Sequence, residues 1–418
     1  MEEMQEAFRD DPLWHAVEAE EQRQESHLEL IASENHTSRE VMAAMGSCLT
    51  DKYAEGYPGR RYYGGCEHVD TVENLCRDRA KDLFGAGHAN VQPHSGTQAN
   101  VAALMALIEP GDRVLAMSLD HGGHLSHGHP KNFSGLFYDF HSYGVERDTE
   151  RMNLERVREM ALELRPRLLM AGASAYSRTI DFEGLAAIAQ EVEAHFMVDM
   201  AHIAGLVAAG VHPTPVGHAH VTTMTTHKTL RGPRGGLILC TREWIKKINS
   251  AVFPGDQGGP FMHAIAAKAI ALREANSTTY REYARNVVAN ASALAATLAD
   301  RGLRIVSGGT DNHLMLVDVT PLGLTGADAE EQLGAVNITC NKNLIPYDEQ
   351  PPMKASGVRV GTAAVTTRGL GTAEMERMGG LIAEVLSSGG DANIQDRVRK
   401  QVAELTEAFP IRPAVAGA

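Results

Sequence analysis

Between residues 112 and 236 the chain repeatedly exchanges a short apolar run for a helix-like stretch, and that alternation leaves few folds open. Runs at 113–117, 167–171 and 195–199 read as strands, as does a β-rich run at 220–226, while 182–194 reads as a helix between two of them. Such units predict a mostly parallel sheet flanked by helices, with ligands bound beyond the carboxyl ends of the strands. Ser174, Asp199, His202 and Lys228 all fall at or just after such ends.

Lys228 follows the β-rich run and precedes a break at 231–236 (Arg-Gly-Pro-Arg-Gly-Gly). A lysine there can form a Schiff base with an aldehyde, although a lone lysine is ordinarily just solvated. Its company along the chain changes that balance. The 418 residues leave room for two or three domains and a large core. A formal charge of −14 argues against nucleic acid or an anionic membrane as the main partner, so an anionic ligand needs a local site. No apolar run is long enough to span a bilayer, and the acidic stretch 1–11 resembles neither a secretory signal nor a transit peptide. Five cysteines without metal-ligand spacing read as reduced thiols, and a cytoplasmic location is expected.

Residues 13–24 are helix-prone, and 37–40 (Thr-Ser-Arg-Glu) read as a capping box opening the next helix. The loop 52–66 crowds Tyr53, Glu55, Tyr57, Tyr62 and Tyr63 among glycines, a poor helix or strand and either a structural loop or a site wall. A helix at 70–84 stops at Gly85, and Ser95, Gly96 and Thr97 then open an apolar helical run. Small residues at a helix start leave backbone amides free for an anion, though they cap many helices too. The loop 119–129 holds four histidines; metal is the tempting reading, but no acidic partner has the right spacing and the paired glycines suit a ring passing close by. Asp199 ends an apolar strand, where a carboxylate needs a partner such as a protonated ring nitrogen, or else caps the following helix. His202 and Arg234 are candidates for a neighbouring phenolate oxygen and acid. A long helical stretch at 262–302 leads into a smaller domain with strands at 303–319, 337–343 and 358–362 and closing helices at 373–386 and 394–409. Within it Arg359 is a guanidinium in an apolar, glycine-flanked segment, suited to a carboxylate.

Together these are the parts that pyridoxal 5′-phosphate requires: an amine for its aldehyde, a counter-charge for its ring nitrogen, an anion cup, a stacking histidine and a clamp for a substrate carboxylate. The runs 30–35 (Leu-Ile-Ala-Ser-Glu-Asn), 52–59 (Lys-Tyr-Ala-Glu-Gly-Tyr-Pro-Gly), 92–100 (Gln-Pro-His-Ser-Gly-Thr-Gln-Ala-Asn), 121–125 (His-Gly-Gly-His-Leu), 198–202 (Val-Asp-Met-Ala-His), 225–230 (Thr-Thr-His-Lys-Thr-Leu), 232–236 and 307–313 resemble serine hydroxymethyltransferase, and the resemblance extends from about residue 13 to about 409.

The resemblance implies an α/β fold-type I pyridoxal-phosphate enzyme, with a mostly parallel seven-stranded sheet in a large domain and a smaller α+β carboxy-terminal domain. Boundaries are expected at 1–45 for a helical arm, 46–275 for the cofactor domain and 276–418 for the small domain. It further implies an obligate homodimer, or a tetramer, with active sites shared between subunits. On the resemblance, Lys228 is the Schiff-base lysine, flanked in the catalytic set by Thr225 and His227, and Asp199 partners the ring nitrogen. His124 stacks on the ring, with His202 and Ser174 beside it. Ser95, Gly96 and Thr97 meet the phosphate with Gly258, Gly259 and a neighbouring subunit's Tyr53. Arg359, Ser33, His202 and Tyr63 hold the substrate carboxylate, and Glu55 moves protons. Leu119, Gly123, Leu125 and Asn343 contact folate. The implied reaction moves a hydroxymethyl group from L-serine to tetrahydrofolate, giving glycine and 5,10-methylenetetrahydrofolate.

Three departures bear on the substrate: Met224 interrupts a threonine run, Ala363 replaces a proline after Arg359, and the loop 343–355 is unlike the usual one. They leave open α-methylserine hydroxymethyl transfer, with D-alanine in place of glycine, and a folate-independent aldolase. A non-catalytic paralogue would be expected to lose Lys228, Asp199 or Arg359, and all three are present.

Overall fold

The computed structural model describes residues 11–412. The acidic residues up to 10 and the tail beyond 412, expected to carry no leader and no fixed structure, lie outside the described residues. The central sheet has seven strands: β1 (His88–Asn90), β2 (Arg113–Met117), β3 (Asp139–Tyr143), β4 (Leu168–Ala171), β5 (His195–Asp199), β6 (Val221–Thr225) and β7 (Gly236–Cys240). Their order is β1-β7-β6-β5-β4-β2-β3; neighbours from β6 to β3 run parallel, and β7 is antiparallel to both β6 and β1. Alternation along each strand feeds two apolar layers. Leu115, Leu169 and Val198 face one core, while Val114, Leu168 and Met197 face the other. Both faces are thus covered, as parallel sheets require, and β6 is buried along its whole length.

A second sheet, antiparallel throughout, has the order β8-β9-β11-β10, with β8 (Arg304–Val306), β9 (Leu314–Asp318), β10 (Asn341–Asn343) and β11 (Gly357–Gly361). It has its own apolar core, which includes Leu28 and Leu30 of the amino-terminal segment. Helix α1 (Pro12–Ser26) starts at Asp11, whose carboxylate accepts from Leu13 N. Its end is fixed by the buried Arg368 guanidinium, which donates to the carbonyls of Gln24, Glu25, His27, Thr406 and Phe409 and so joins both ends of the described chain.

Helix α2 (Glu67–Phe84) ends as expected at a left-handed Gly85, and α3 (Gly96–Leu107) follows β1. The helical stretch expected at 262–302 is two helices, α4 (Met262–Ala275) and α5 (Thr278–Asp300), because Ser277 turns its hydroxyl to Tyr280 N and caps a new start. The capping box expected at 37–40 does not form. Ser38 caps Arg39–Met45 instead, since the Thr37 hydroxyl donates to the carbonyl of Arg231 and Glu40 pairs with Arg273. No helix among the described residues is long and apolar enough to cross a membrane.

Candidate active site

A cavity of about 640 Å³ opens where β2, β4, β5 and β6 end, roofed by the second sheet. Lys228 lies in the turn after β6, and that turn is tied on every side. Asn35 donates to the Lys228 carbonyl at 2.9 Å, Arg231 N bonds the same oxygen at 3.0 Å, and the Thr226 hydroxyl donates to Pro233 O at 2.6 Å. Burial brings the Lys228 ammonium down to about 8; Asp199 resists that shift, while Arg359 and Arg234 add to it.

Asp199 closes β5 and is buried but well supplied. Its Oδ2 accepts from Asn100 Nδ2 at 2.8 Å and meets His127 Nε2 at 3.1 Å, and its Oδ1 accepts from Ala201 N at 3.0 Å. Burial alone would raise this carboxyl; its contacts with His127 and the Asn100 amide, and the nearby His124, hold it well below the usual range. Asn100 also donates to Ser126 Oγ at 2.8 Å and accepts from Thr223 Oγ1 at 2.6 Å, and Ser126 lies 2.7 Å from His124 Nδ1. One buried amide therefore connects the carboxylate to the histidine expected to stack on the ring. Neither Asn100 nor His127 stood out in the sequence, because one sits inside an apolar helix and the other among four histidines.

Three other histidines of the site, His124, His202 and His227, are neutral imidazoles. Burial pushes His124 to about 4 and His227 to about 3, and takes His202, 3.2 Å from His313, well below its ordinary value. Arg359 comes from β11. Its Nη1 donates to Ser174 O at 2.8 Å, its Nε is buried with no partner, and burial lowers it to about 10. An arginine so placed, with no carboxylate partner among the described residues, is an open anion site.

Ser95 caps α3, accepting from Gln98 N, so the first amides of the helix have no intrahelical acceptor. The cup is close-fitting: a Cβ on Gly96 would come within 2.6 Å of Thr225 Cγ2, and one on Gly123 within 2.3 Å of Met117 O. Cup, buried carboxylate, imidazole and amine fit pyridoxal 5′-phosphate from end to end. The same cavity wall also includes Ser33, Thr225, Ser174, Leu119, Gly123, Leu125 and Asn343.

Five expected residues are not on that wall. Tyr53, Glu55, Tyr63, Gly258 and Gly259 form a separate cluster near the surface, in which the half-buried Glu55 accepts from the exposed Tyr53 OH at 3.2 Å and Tyr63 OH at 3.4 Å, with Gly259 under the Tyr53 ring. Their loop is held by Arg61, which donates to Ala54 O and Gly56 O and pairs with Asp70 and Glu73. Two of the departures that bear on the substrate, Ala363 and Met224, also lie off that wall. Both are buried, Met224 in the apolar core beside β6 and Ala363 against Tyr283. Of the three departures only the loop contributes, through Asn343, Leu344 and Pro352.

A family model described as serine hydroxymethyltransferase matches residues 7–382. That family carries out pyridoxal-phosphate-dependent hydroxymethyl transfer in one-carbon metabolism. With most of its length matched, this chain belongs to the serine hydroxymethyltransferase family.

Proposed function

We propose that this protein transfers a hydroxymethyl group between L-serine and tetrahydrofolate, with two copies of the chain sharing each active site. The observation that carries the reading is a half-buried arginine, with no counter-ion among the described residues, across one cavity from a buried lysine and a buried aspartate. When bound, pyridoxal phosphate supplies an electron sink that lets the bond between the α- and β-carbons of the substrate break.

Lys228 captures the aldehyde, because near neutral pH a sizeable share of its chains carry the free amine. Asp199, kept ionised by its donors, holds a proton on the ring nitrogen. His124, neutral, lies against the ring face, and the amides of Gly96 and Thr97 bind the phosphate with Ser95. Arg359 grips the substrate carboxylate as a fork, with Ser33 and His202 beside it. Glu55, between Tyr53 and Tyr63, comes from the second copy and takes the proton of the substrate hydroxyl. Its place between two exposed phenols, off the wall of its own chain's cavity, suits a group presented to another chain. Leu119, Leu125 and Asn343 flank the folate ring at the mouth.

That Met224 and Ala363 are buried and off the cavity wall supports L-serine over α-methyl-L-serine. The test is the rate of methylenetetrahydrofolate formation from each amino acid by the loaded protein. Faster turnover of L-serine is expected; faster turnover of α-methyl-L-serine would overturn the substrate assignment.

A further inference from the structure

Lys268, on α4, has only 1% of its surface exposed and takes no part in the chemistry above. Its ammonium donates to three main-chain carbonyls: Val91 at 2.8 Å, Pro93 at 2.9 Å and Gly236 at 2.8 Å. All three N–H groups are thereby used, and every acceptor is neutral. A buried ammonium bound only by carbonyls is costly to keep charged: burial brings it down to about 8, and Cys76 and Glu73 offset only part of that shift. The residues it holds point to a further anion.

Val91 and Pro93 belong to the loop that runs from β1 into the Ser95 cap, and Gly236 opens β7 on the other side of that loop. Gly236 N donates to Pro93 O at 3.0 Å, and a Cβ on Gly236 would come within 2.1 Å of Ser95 O and 3.2 Å of Gly96 N. Lys268 also lies under Gly235, whose added Cβ would be 2.5 Å from Lys268 Cε. Loop, strand and lysine therefore meet directly behind the first amides of α3.

We propose that Lys268 is a positioning residue for the phosphate seat: it clamps the loop that sets the Ser95–Thr97 amides and lends a buried positive charge that the phosphate of the cofactor balances. This rests on the pyridoxal-phosphate reading. Losing the clamp weakens capture of an aldehyde that carries a phosphate and spares one that lacks it.

The experiment titrates the apo-forms of wild type, Lys268→Met and Lys268→Gln with pyridoxal 5′-phosphate and, separately, with phosphate-free pyridoxal. The readout is the visible absorbance that depends on Lys228, alongside the urea midpoint of each apo-protein. For Lys268→Met the affinity for pyridoxal phosphate is expected to fall by about tenfold or more, and that for pyridoxal to stay within about twofold. Lys268→Gln, which keeps amide donors without the charge, should fall between. Equal losses for both aldehydes, no loss for pyridoxal phosphate, or failure of both variants to fold would overturn the proposal. Wild type that captures neither aldehyde would instead refute the cofactor reading itself.

Discussion

If Lys228 is the residue that captures the cofactor, its reactivity should bend with pH at the value its burial sets. An ordinary lysine titrates at 10.5, and burial brings this one to about 8. At about 1.4 kcal/mol per unit, the surroundings favour the free amine by about 3 kcal/mol. At pH 7.5 about a quarter of the chains then carry the free amine, against roughly one in a thousand for a solvated lysine. Only the free amine attacks an aldehyde. The rate of capture, followed by stopped-flow absorbance after mixing apo-protein with pyridoxal phosphate, should therefore rise about tenfold per pH unit and level off near 8. Two substitutions move the bend in opposite senses. Asp199 favours the charged amine, so Asp199→Asn shifts the bend to lower pH; Arg359 disfavours it, so Arg359→Gln shifts it higher. Each shift should be on the order of one unit, the effect of a single charge at an effective dielectric near 20. A rate that keeps climbing to pH 10, or two variants that move the bend the same way, would refute the reasoning.

Asn100→Leu keeps the branched shape and deletes three buried hydrogen bonds, to Asp199, Ser126 and Thr223, and urea unfolding should show a loss of about 2–4 kcal/mol. Because the Asp199 carboxyl is held below its ordinary 3.8, its contribution to stability is complete above that value and lost as pH falls. The variant, whose carboxyl is less depressed, should lose less stability below pH 3.8 and complete that loss at a higher pH than wild type in acid-unfolding curves. Mixing inactive Lys228→Ala chains with inactive Glu55→Gln chains should restore about a quarter of wild-type turnover, since half the dimers are mixed and each mixed dimer has one intact site. Ala363→Pro should leave the ratio of serine to α-methylserine turnover unchanged, because Ala363 does not reach the cavity.

Much of the site was legible because its signals are local. Lys228 and Asp199 follow strand-like runs, Ser95 to Thr97 open an apolar helix, and Arg359 is a charge among glycines and valines. The parallel core strands were legible for the same reason, being continuous apolar runs. Three strands of the large sheet escaped notice: β1 has only three residues, β3 is a largely polar edge strand, and β7 follows a glycine-rich break. What stayed hidden depends on convergence in space. Asn100 reads as one more position of a helix until β5 and the histidine loop bring Asp199 and Ser126 to its amide. Lys268 looks like an ordinary helical lysine until three carbonyls from two separate segments meet at its nitrogen. Glu55 was singled out by its phenols, but a single chain leaves it on the surface, because the site it is proposed to serve lies in another copy.

The most direct test of the account is to load the purified protein with pyridoxal phosphate, reduce it with borohydride and map the modified peptide by mass. A single stable adduct on Lys228, absent from Lys228→Ala, is the predicted result. An adduct on another lysine, or none at all, would contradict the assignment of this cavity as the active site.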